Sequence, residues 1–515
     1  MYSLLKRSYL LLIVLALSLL FRITNLDLIE FKADEGINLF LASRPIFGHG
    51  FAPGGTVSSL GVTNFPLINY LLLPLVMISK DPRIISFFIA LINSLAIVGF
   101  FIIVRRYYNQ TIAFTSSLLM ATSPWAILFS RKIWAQDFLI PLFIPFFLSF
   151  HKIVIDKDRR YWLLYAASSL FLIQIHQSAL FFIFPLTAFM AYRRTGISSK
   201  YSLVGIALGL LPTVLYLLYQ LRTGCFDCKM ILSSSERVSD VSSPLLFLRP
   251  FQIIHQGNFF PILGENVVYF AQNFPIAYFS KYIYYAEYFL LALGAILFYK
   301  LFKKVGFIIF PVILLPFIYA FFRLEPHIHY FLIVAPFLFL FLGTSLYYLI
   351  SHKNLLVKYS SITLFLCVIL VSTYYNYAFY ETVRAKENIK GDYGKIFEQT
   401  DRDTKEFYKK YVNDPYYEEM IIASYVPYSL SHGDIGVAKM LYDSKETEEN
   451  MTILEERLRD VPIDRRIHQE LIAYYTRENP SKETIRILKG KSDLNPGMIP
   501  VYEEVYNLYR ERGGK

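Results

Sequence analysis

Short polar clusters interrupt an otherwise apolar chain, and each carries residue types suited to chemistry. Phe31-Lys32-Ala33-Asp34-Glu35-Gly36 sets two carboxylates side by side after the first apolar run. Asp34 and Glu35 could take a proton from a hydroxyl or hold a divalent cation. The plainer alternative is a solvated acidic pair opening an amphipathic helix, with Asp34 as its N-cap. Ser130-Arg131-Lys132-Ile133-Trp134-Ala135-Gln136-Asp137 puts two cations between apolar runs. Arg131 offers a bidentate fork to a phosphate and Lys132 a point charge; the alternative is snorkelling at a membrane interface beside Trp134. His176-Gln177 sits between tightly coupled apolar runs, as a site candidate or a polar turn. Arg323-Leu324-Glu325-Pro326-His327-Ile328-His329-Tyr330 suits a phosphate or a metal. The i, i+2 spacing of His327 and His329 after a proline fits neither a helical metal pair nor a known zinc motif. Cys225-Phe226-Asp227-Cys228 reads as a local disulfide, because a zinc knuckle needs a second ligand pair and Cys367 lies in an apolar run.

The elements that must position these clusters are membrane helices. The chain has 515 residues, 55% of them hydrophobic and 17% aromatic, and its apolar runs have the length that a bilayer core about 30 Å thick requires. That excludes an ordinary soluble enzyme. Three cysteines exclude a disulfide-rich scaffold. The formal charge of +11 is no nucleic-acid signature, since most of the excess falls in short loops between spans. Spans are expected near 8–24, 83–104, 111–129, 138–154, 161–175, 177–192, 201–219, 283–301, 306–322, 329–350 and 361–378. The first run lacks a small-residue cleavage site and reads as a retained span. Phe65 to Ser79 is short, with Pro66 at its start and Pro74 inside, and reads as re-entrant. If it crossed, Arg105-Arg106 and every later basic loop would lie outside. The reading is therefore a polytopic α-helical protein of about eleven spans, N-terminus cytoplasmic and C-terminus outside. The candidate clusters then all face outward. Residues 1–380 form the transmembrane domain and 381–515 a mainly helical extracytoplasmic one. Glu470 to Tyr475 aligns with Glu504 to Tyr509, as Pro462 does with Pro496, at an offset of 34 residues. That is the tetratricopeptide period, and helical hairpins packed on the membrane domain are the alternative.

Together these features resemble the GT-C superfamily of membrane glycosyltransferases, notably the protein O-mannosyltransferases and lipid A aminoarabinose transferases. The matching residues are Asp34-Glu35, then Asn64-Phe65-Pro66-Leu67-Ile68-Asn69-Tyr70-Leu71 as a re-entrant segment. Ser123-Pro124 with Ser130-Arg131 and Asp137 follow, then His327 to Tyr330 before a span containing Pro336. The likeness covers roughly residues 8–380. It departs from the pattern where His329-Tyr330 stands for a common Arg-Tyr pair, and where a single proline opens the re-entrant segment. The resemblance implies an inverting transfer of a sugar from a polyprenyl-phosphate donor to an extracytoplasmic acceptor (protein, lipid or glycan), in an enzyme embedded among membrane lipids of the cytoplasmic membrane. It implies Asp34 as base on the acceptor hydroxyl, with Glu35 assisting or placing a cation. Arg131 and Lys132, with Arg323, His329 and Tyr330, would hold the donor phosphate, and Asp137, His176 and His327 are further site candidates.

The chemistry is coherent. Inverting transfer needs a base on the acceptor and charge stabilisation on the leaving phosphate. That phosphate leaves as an anion without a nucleotide-bound metal, so a divalent ion is possible but not required. Gly391-Asp392-Tyr393-Gly394 is similar to the WWDYG element of oligosaccharyltransferase catalytic subunits, without its two tryptophans, and is also an ordinary turn. Competing readings are transfer of a whole oligosaccharide, a lipid-sugar transporter or flippase, and a membrane anchor displaying the tail. Transporters place key polar residues near the midplane on broken helices; here the candidates cluster at span ends.

Overall fold

A computed structural model describes residues 2–424, apart from 49, 57, 59–61, 194–196, 223, 226, 229–244, 255–258, 322–326, 408, 410–411 and 414–416. Arg323, the 470–509 repeat and most of the expected C-terminal domain lie outside the described residues. The described chain is mostly helical. Among the described residues, six helices are long and apolar enough to cross a membrane: Pro82–Tyr107, Ala135–Val154, Lys200–Arg222, Pro275–Leu301, Ile328–Ile350 and Leu355–Lys386. Shorter apolar helices cover Tyr9–Ile23, Leu67–Ile78, Ala179–Tyr192 and Gly306–Phe321. This is a membrane protein. The run expected to be re-entrant folds as the twelve-residue helix Leu67–Ile78, with Pro74 inside it, about 18 Å long at 1.5 Å per residue.

The chain divides into two compact units. Unit 1 comprises Met1–Glu30, Arg83–Leu211 and Val238–Ile396. It contains α1 (Tyr2–Ile23), α4 (Pro82–Tyr107), α5 (Gln110–Thr122), α6 (Pro124–Leu128), α7 (Leu139–Val154), α8 (Trp162–Ile175), α9 (Ala179–Tyr192) and α10 (Ser199–Leu210), followed by the helices Tyr284–Leu301, Ile309–Phe321, Ala335–Ile350 and Leu355–Lys386. Unit 2 comprises Phe31–Pro82, Pro212–Arg237 and Phe397–Lys515. It contains α2 (Ala33–Ser43), α3 (Leu67–Ile78) and α11 (Val214–Arg222). The helix Leu355–Lys386 runs past the expected domain boundary at 380.

Within unit 1 the break between α5 and α6 positions the cationic cluster. Asn109 caps the start of α5, its side chain accepting from Ile112 N–H at 2.7 Å. At the other end Ser123 caps α6 and Pro124 occupies its first turn. Ending a helix strands its last carbonyls, which lipid cannot satisfy. Buried Arg22 of α1 fills that need, donating to Ala121 O at 2.9 Å, Met120 O at 3.3 Å and Ala126 O at 3.1 Å. Asn376 donates to Thr122 O at 3.0 Å. Helix Ala335–Ile350 packs against α5 through Gly343, where an added Cβ would meet Ser116 Cβ at 2.8 Å. Small residues at such crossings let backbones approach closely.

Candidate functional site

In unit 1 the chain leaves α6 through a turn that is closed by its own carboxylate. Asp137 is fully buried and accepts Lys132 N–H at 2.6 Å. Asn93 of α4 donates to the Asp137 carbonyl at 2.9 Å. Asp137 therefore shapes the loop that carries the two cations. Arg131, 3% exposed, donates to the Tyr380 hydroxyl at 3.1 Å and to the Asn25 carbonyl, with its guanidinium 4.9 Å from the Tyr380 ring centre. Asn25 turns through a left-handed conformation (φ 54°), and its side chain accepts from Arg384 at 2.8 Å. Snorkelling does not describe either cation, because both are buried inside the protein.

Lys132 makes an ion pair with Glu30, the two side chains being 8% and 2% exposed. Its ammonium lies 5.6 Å from the Phe129 ring centre and 5.4 Å from that of Trp134, within cation–π range. Glu30 is held by the turn after the last long helix. There β1 (Asn388–Ile389) pairs with β2 (Gly394–Lys395), Ile396 bridges to Glu30, and buried Tyr393 donates its hydroxyl to the Leu28 carbonyl. Burial and the neighbouring Tyr380 push the Tyr393 hydroxyl well up from its ordinary range, so it stays a donor. The Asp392-Tyr393-Gly394 element is thus part of the wall around the cationic cluster.

An aromatic cluster adjoins the lysine. The His329 ring centre is 4.7 Å from Trp134, 4.7 Å from Tyr330, 5.9 Å from His176 and 5.4 Å from His327. His176 and Tyr330 are 4.9 Å apart. His327 is exposed, and Trp134, His329 and Tyr330 are half-buried. Among the described residues, no group of three or more His, Cys, Asp or Glu is placed to hold a metal ion. His176, in the turn between α8 and α9, accepts at Nδ1 from Ser178 N–H at 3.3 Å, which requires the neutral ring. Burial lowers its pKa from 6.5 to about 4. The unfolded chain therefore binds the extra proton between those values. The contribution of His176 to stability is complete above pH 6.5 and is lost as pH falls toward 4. Thermal unfolding in detergent is expected to show a midpoint that drops between about pH 7 and about pH 5, and His176→Gln is expected to flatten that dependence. An equal slope in the variant would assign the effect elsewhere.

Unit 2 carries the acidic pair on α2. Asp34 is exposed in the first helical turn, whereas Glu35 is 3% exposed. Glu35 Oε2 accepts Lys32 N–H at 3.0 Å, and Lys32 O accepts Gly36 N–H at 3.0 Å. The N-cap is thus Lys32 and the capping carboxylate is Glu35. The N-cap alternative for Asp34 is corrected, and Asp34 is not needed to start the helix. Segment 54–65 folds back on itself, with Gly55 N–H to Asn64 O at 2.8 Å. An added Cβ on Gly55 would meet the Phe65 carbonyl oxygen at 2.9 Å. Asn69 of α3 donates to Gly54 O at 2.9 Å.

The same unit contains a carboxylate whose role the sequence did not reveal. Cys225 and Cys228 are disulfide-bonded, and Asp227 between them is 2% exposed. It accepts from Thr63 N at 3.1 Å, Thr63 Oγ1 at 3.3 Å, Tyr216 OH at 2.9 Å and Gln220 Nε2. It ties α11 to the segment that leads into α3. Asp227→Ala strands these donors and is expected to cost about 3 kcal/mol, read as a lowered unfolding midpoint, with Asp227→Asn milder. An unchanged midpoint in Asp227→Ala would contradict this role.

Residues 64–219 match the family model described as dolichyl-phosphate-mannose-protein mannosyltransferase. Over that segment the chain is similar to this mannosyltransferase family. The matched segment includes Asn64 to Leu71, Ser123 to Asp137 and His176, and excludes Asp34 and His327 to Tyr330. Comparison with curated protein sequences yields no match. Solved structures similar to this chain include the apo oligosaccharyltransferase of Archaeoglobus fulgidus, 14% identical over 83% of this chain and 60% of that one, TM-score 0.44. The Archaeoglobus fulgidus oligosaccharyltransferase in complex with an inhibitory peptide and a dolichol-phosphate is 14% identical over 84% and 61%, TM-score 0.45. ArnT from Cupriavidus metallidurans bound to undecaprenyl phosphate is 14% identical over 72% and 75%, TM-score 0.43. The chain therefore spans about 60% of the length of the oligosaccharyltransferase it matches.

Within the chain, unit 1 gathers Arg131, Lys132, His176, His327, His329 and Tyr330, with Asp137 behind them as a loop former. Glu30 and Tyr380 join the same cluster and were not singled out beforehand, and Tyr393 brings in the Asp392-Tyr393-Gly394 element. Glu30 sits at the end of an apolar stretch with no neighbouring charge in sequence except Asp27 and Lys32, and only the fold brings it to Lys132.

Proposed function

We propose that this chain transfers a sugar from a polyprenyl-phosphate-linked donor to an acceptor outside the cytoplasm, with inversion at the anomeric carbon. The observation that carries the reading is the pair Arg131 and Lys132, two cations buried against aromatic rings beside His329 and Tyr330. Burying two adjacent cations is costly, and Glu30 answers only the charge of Lys132. A fork and a point charge suit the phosphate of a lipid carrier. Tyr330 and the histidines add donors at the leaving oxygen.

Asp34 takes the proton from the acceptor hydroxyl as that oxygen attacks the anomeric carbon. The bond from that carbon to the phosphate oxygen breaks with its electron pair going to the phosphate, where the cations stabilise the developing charge. Glu35, as the cap of α2, keeps Asp34 in its first turn. Arg323 is a further candidate for the phosphate. The N-terminus is cytoplasmic, and the 381–515 region lies with the candidate residues on the outer side.

The test is a transfer assay with purified protein in nanodiscs, offering radiolabelled polyprenyl-phosphate sugars with protein, lipid and glycan acceptors. Release of sugar from one donor, dependent on Asp34, supports the reading. No turnover of any donor with any acceptor class, by folded protein, moves the weight to the transporter reading.

A further inference from the structure

The Glu30–Lys132 pair raises a question that phosphate binding alone does not answer. Lys132 would serve an incoming phosphate better if no carboxylate were bound to it. Glu30 nevertheless lies against it, buried, with its position fixed by the Ile396 bridge and the Tyr393–Leu28 contact. Arg131, by contrast, bonds two neutral oxygens, those of Tyr380 and Asn25. Among the described residues, the groups near the pair include His329, Tyr380 and Tyr393, with Arg22 beyond Arg131 and bound to backbone carbonyls. One fixed negative charge thus stands in a cationic cluster.

We infer that Glu30 is a charge-discriminating residue of the phosphate subsite, favouring a singly charged phosphodiester over a doubly charged phosphate monoester. This rests on the reading that Arg131 and Lys132 bind the donor phosphate. Sugar transfer converts a phosphodiester into a monoester at one place, adding about one negative charge near neutral pH. Coulomb energy scales with ligand charge, so a fixed carboxylate repels the product about twice as strongly as the substrate. Glu30 therefore lowers the affinity of the spent carrier more than that of the loaded one, and helps to empty the site after each turnover.

The experiment compares two probes of the same chain length, a polyprenyl phosphate and its methyl phosphodiester, bound to wild-type protein, Glu30→Gln, Glu30→Asp and Lys132→Met in nanodiscs at about pH 8, where the monoester is fully ionised. Because the two repulsion energies differ twofold, Glu30→Gln is expected to tighten the diester about tenfold and the monoester about a hundredfold. Glu30→Asp keeps the charge and the wild-type selectivity. Equal gains for the two probes in Glu30→Gln would show a structural effect without charge selection and overturn the inference. If Glu30→Gln does not fold, the double variant Lys132→Met with Glu30→Gln is compared with Lys132→Met, where a larger gain for the monoester than for the diester supports the inference and equal gains overturn it. Unchanged affinity for both probes in Lys132→Met would instead sink the phosphate reading on which the inference rests.

Discussion

Asp34→Asn is expected to abolish detectable sugar transfer while leaving the protein inserted and folded. Loss of a positioned general base costs about 10²–10⁴-fold in rate, and an asparagine side chain cannot take the acceptor proton. What makes the test clean is the division of labour in the acidic pair. Glu35 is buried and caps α2 through Lys32 N–H, whereas Asp34 is exposed. The substitution at Asp34 therefore removes a base without removing the cap. Glu35→Gln is expected to behave in the opposite way, lowering the unfolding midpoint along with the rate, because a charged cap at a helix N-terminus also answers the helix dipole. The two variants are compared by initial rate and by thermal unfolding of the same preparations. Full transfer activity in Asp34→Asn would remove Asp34 from the chemistry.

Much of the membrane architecture was legible because hydrophobic run length is read one element at a time. Pro82–Tyr107 and Ile328–Ile350 need no partner to identify them. The likeness to a mannosyltransferase family was legible for a similar reason, since it rests on the order of short clusters along the chain. Partnerships between distant residues were not legible. Lys132 and Glu30 are far apart in sequence and meet only because the loop after α6 and the β1–β2 turn converge there. Arg22 falls inside the first expected span at 8–24, where nothing local reveals that it satisfies the carbonyls left by the α5–α6 break. Asp227 looked like the filling of a CxxC loop and is a buried acceptor for Thr63, Tyr216 and Gln220. Asp137, expected as a site residue, closes the loop that holds the site residues. In each case local sequence names the charged group and tertiary packing decides what it does.

Lys132→Met tests the packing and the chemistry of that cluster together. It removes the cation and leaves Glu30 buried without its partner, which is expected to cost about 3–5 kcal/mol of stability. Both side chains are under a tenth exposed, so solvent screening does not remove the penalty. The same variant is expected to lose affinity for a polyprenyl phosphate, because the point charge is gone. The double variant Lys132→Met with Glu30→Gln separates the two effects. With no ion left to strand, the double variant is expected to regain most of the unfolding midpoint, yet to bind a polyprenyl phosphate less tightly than Glu30→Gln alone, because the point charge is still missing. Two neutral partners of similar shape are often as stable as the buried pair they replace. The coupling is read from a double-mutant cycle on unfolding free energy, beside a binding isotherm for each variant. Additive effects on stability would mean that Glu30 and Lys132 do not depend on one another. Binding by the double variant as tight as that of Glu30→Gln alone would mean that Lys132 supports the site through packing, and that Arg131 with the histidine cluster holds the phosphate alone.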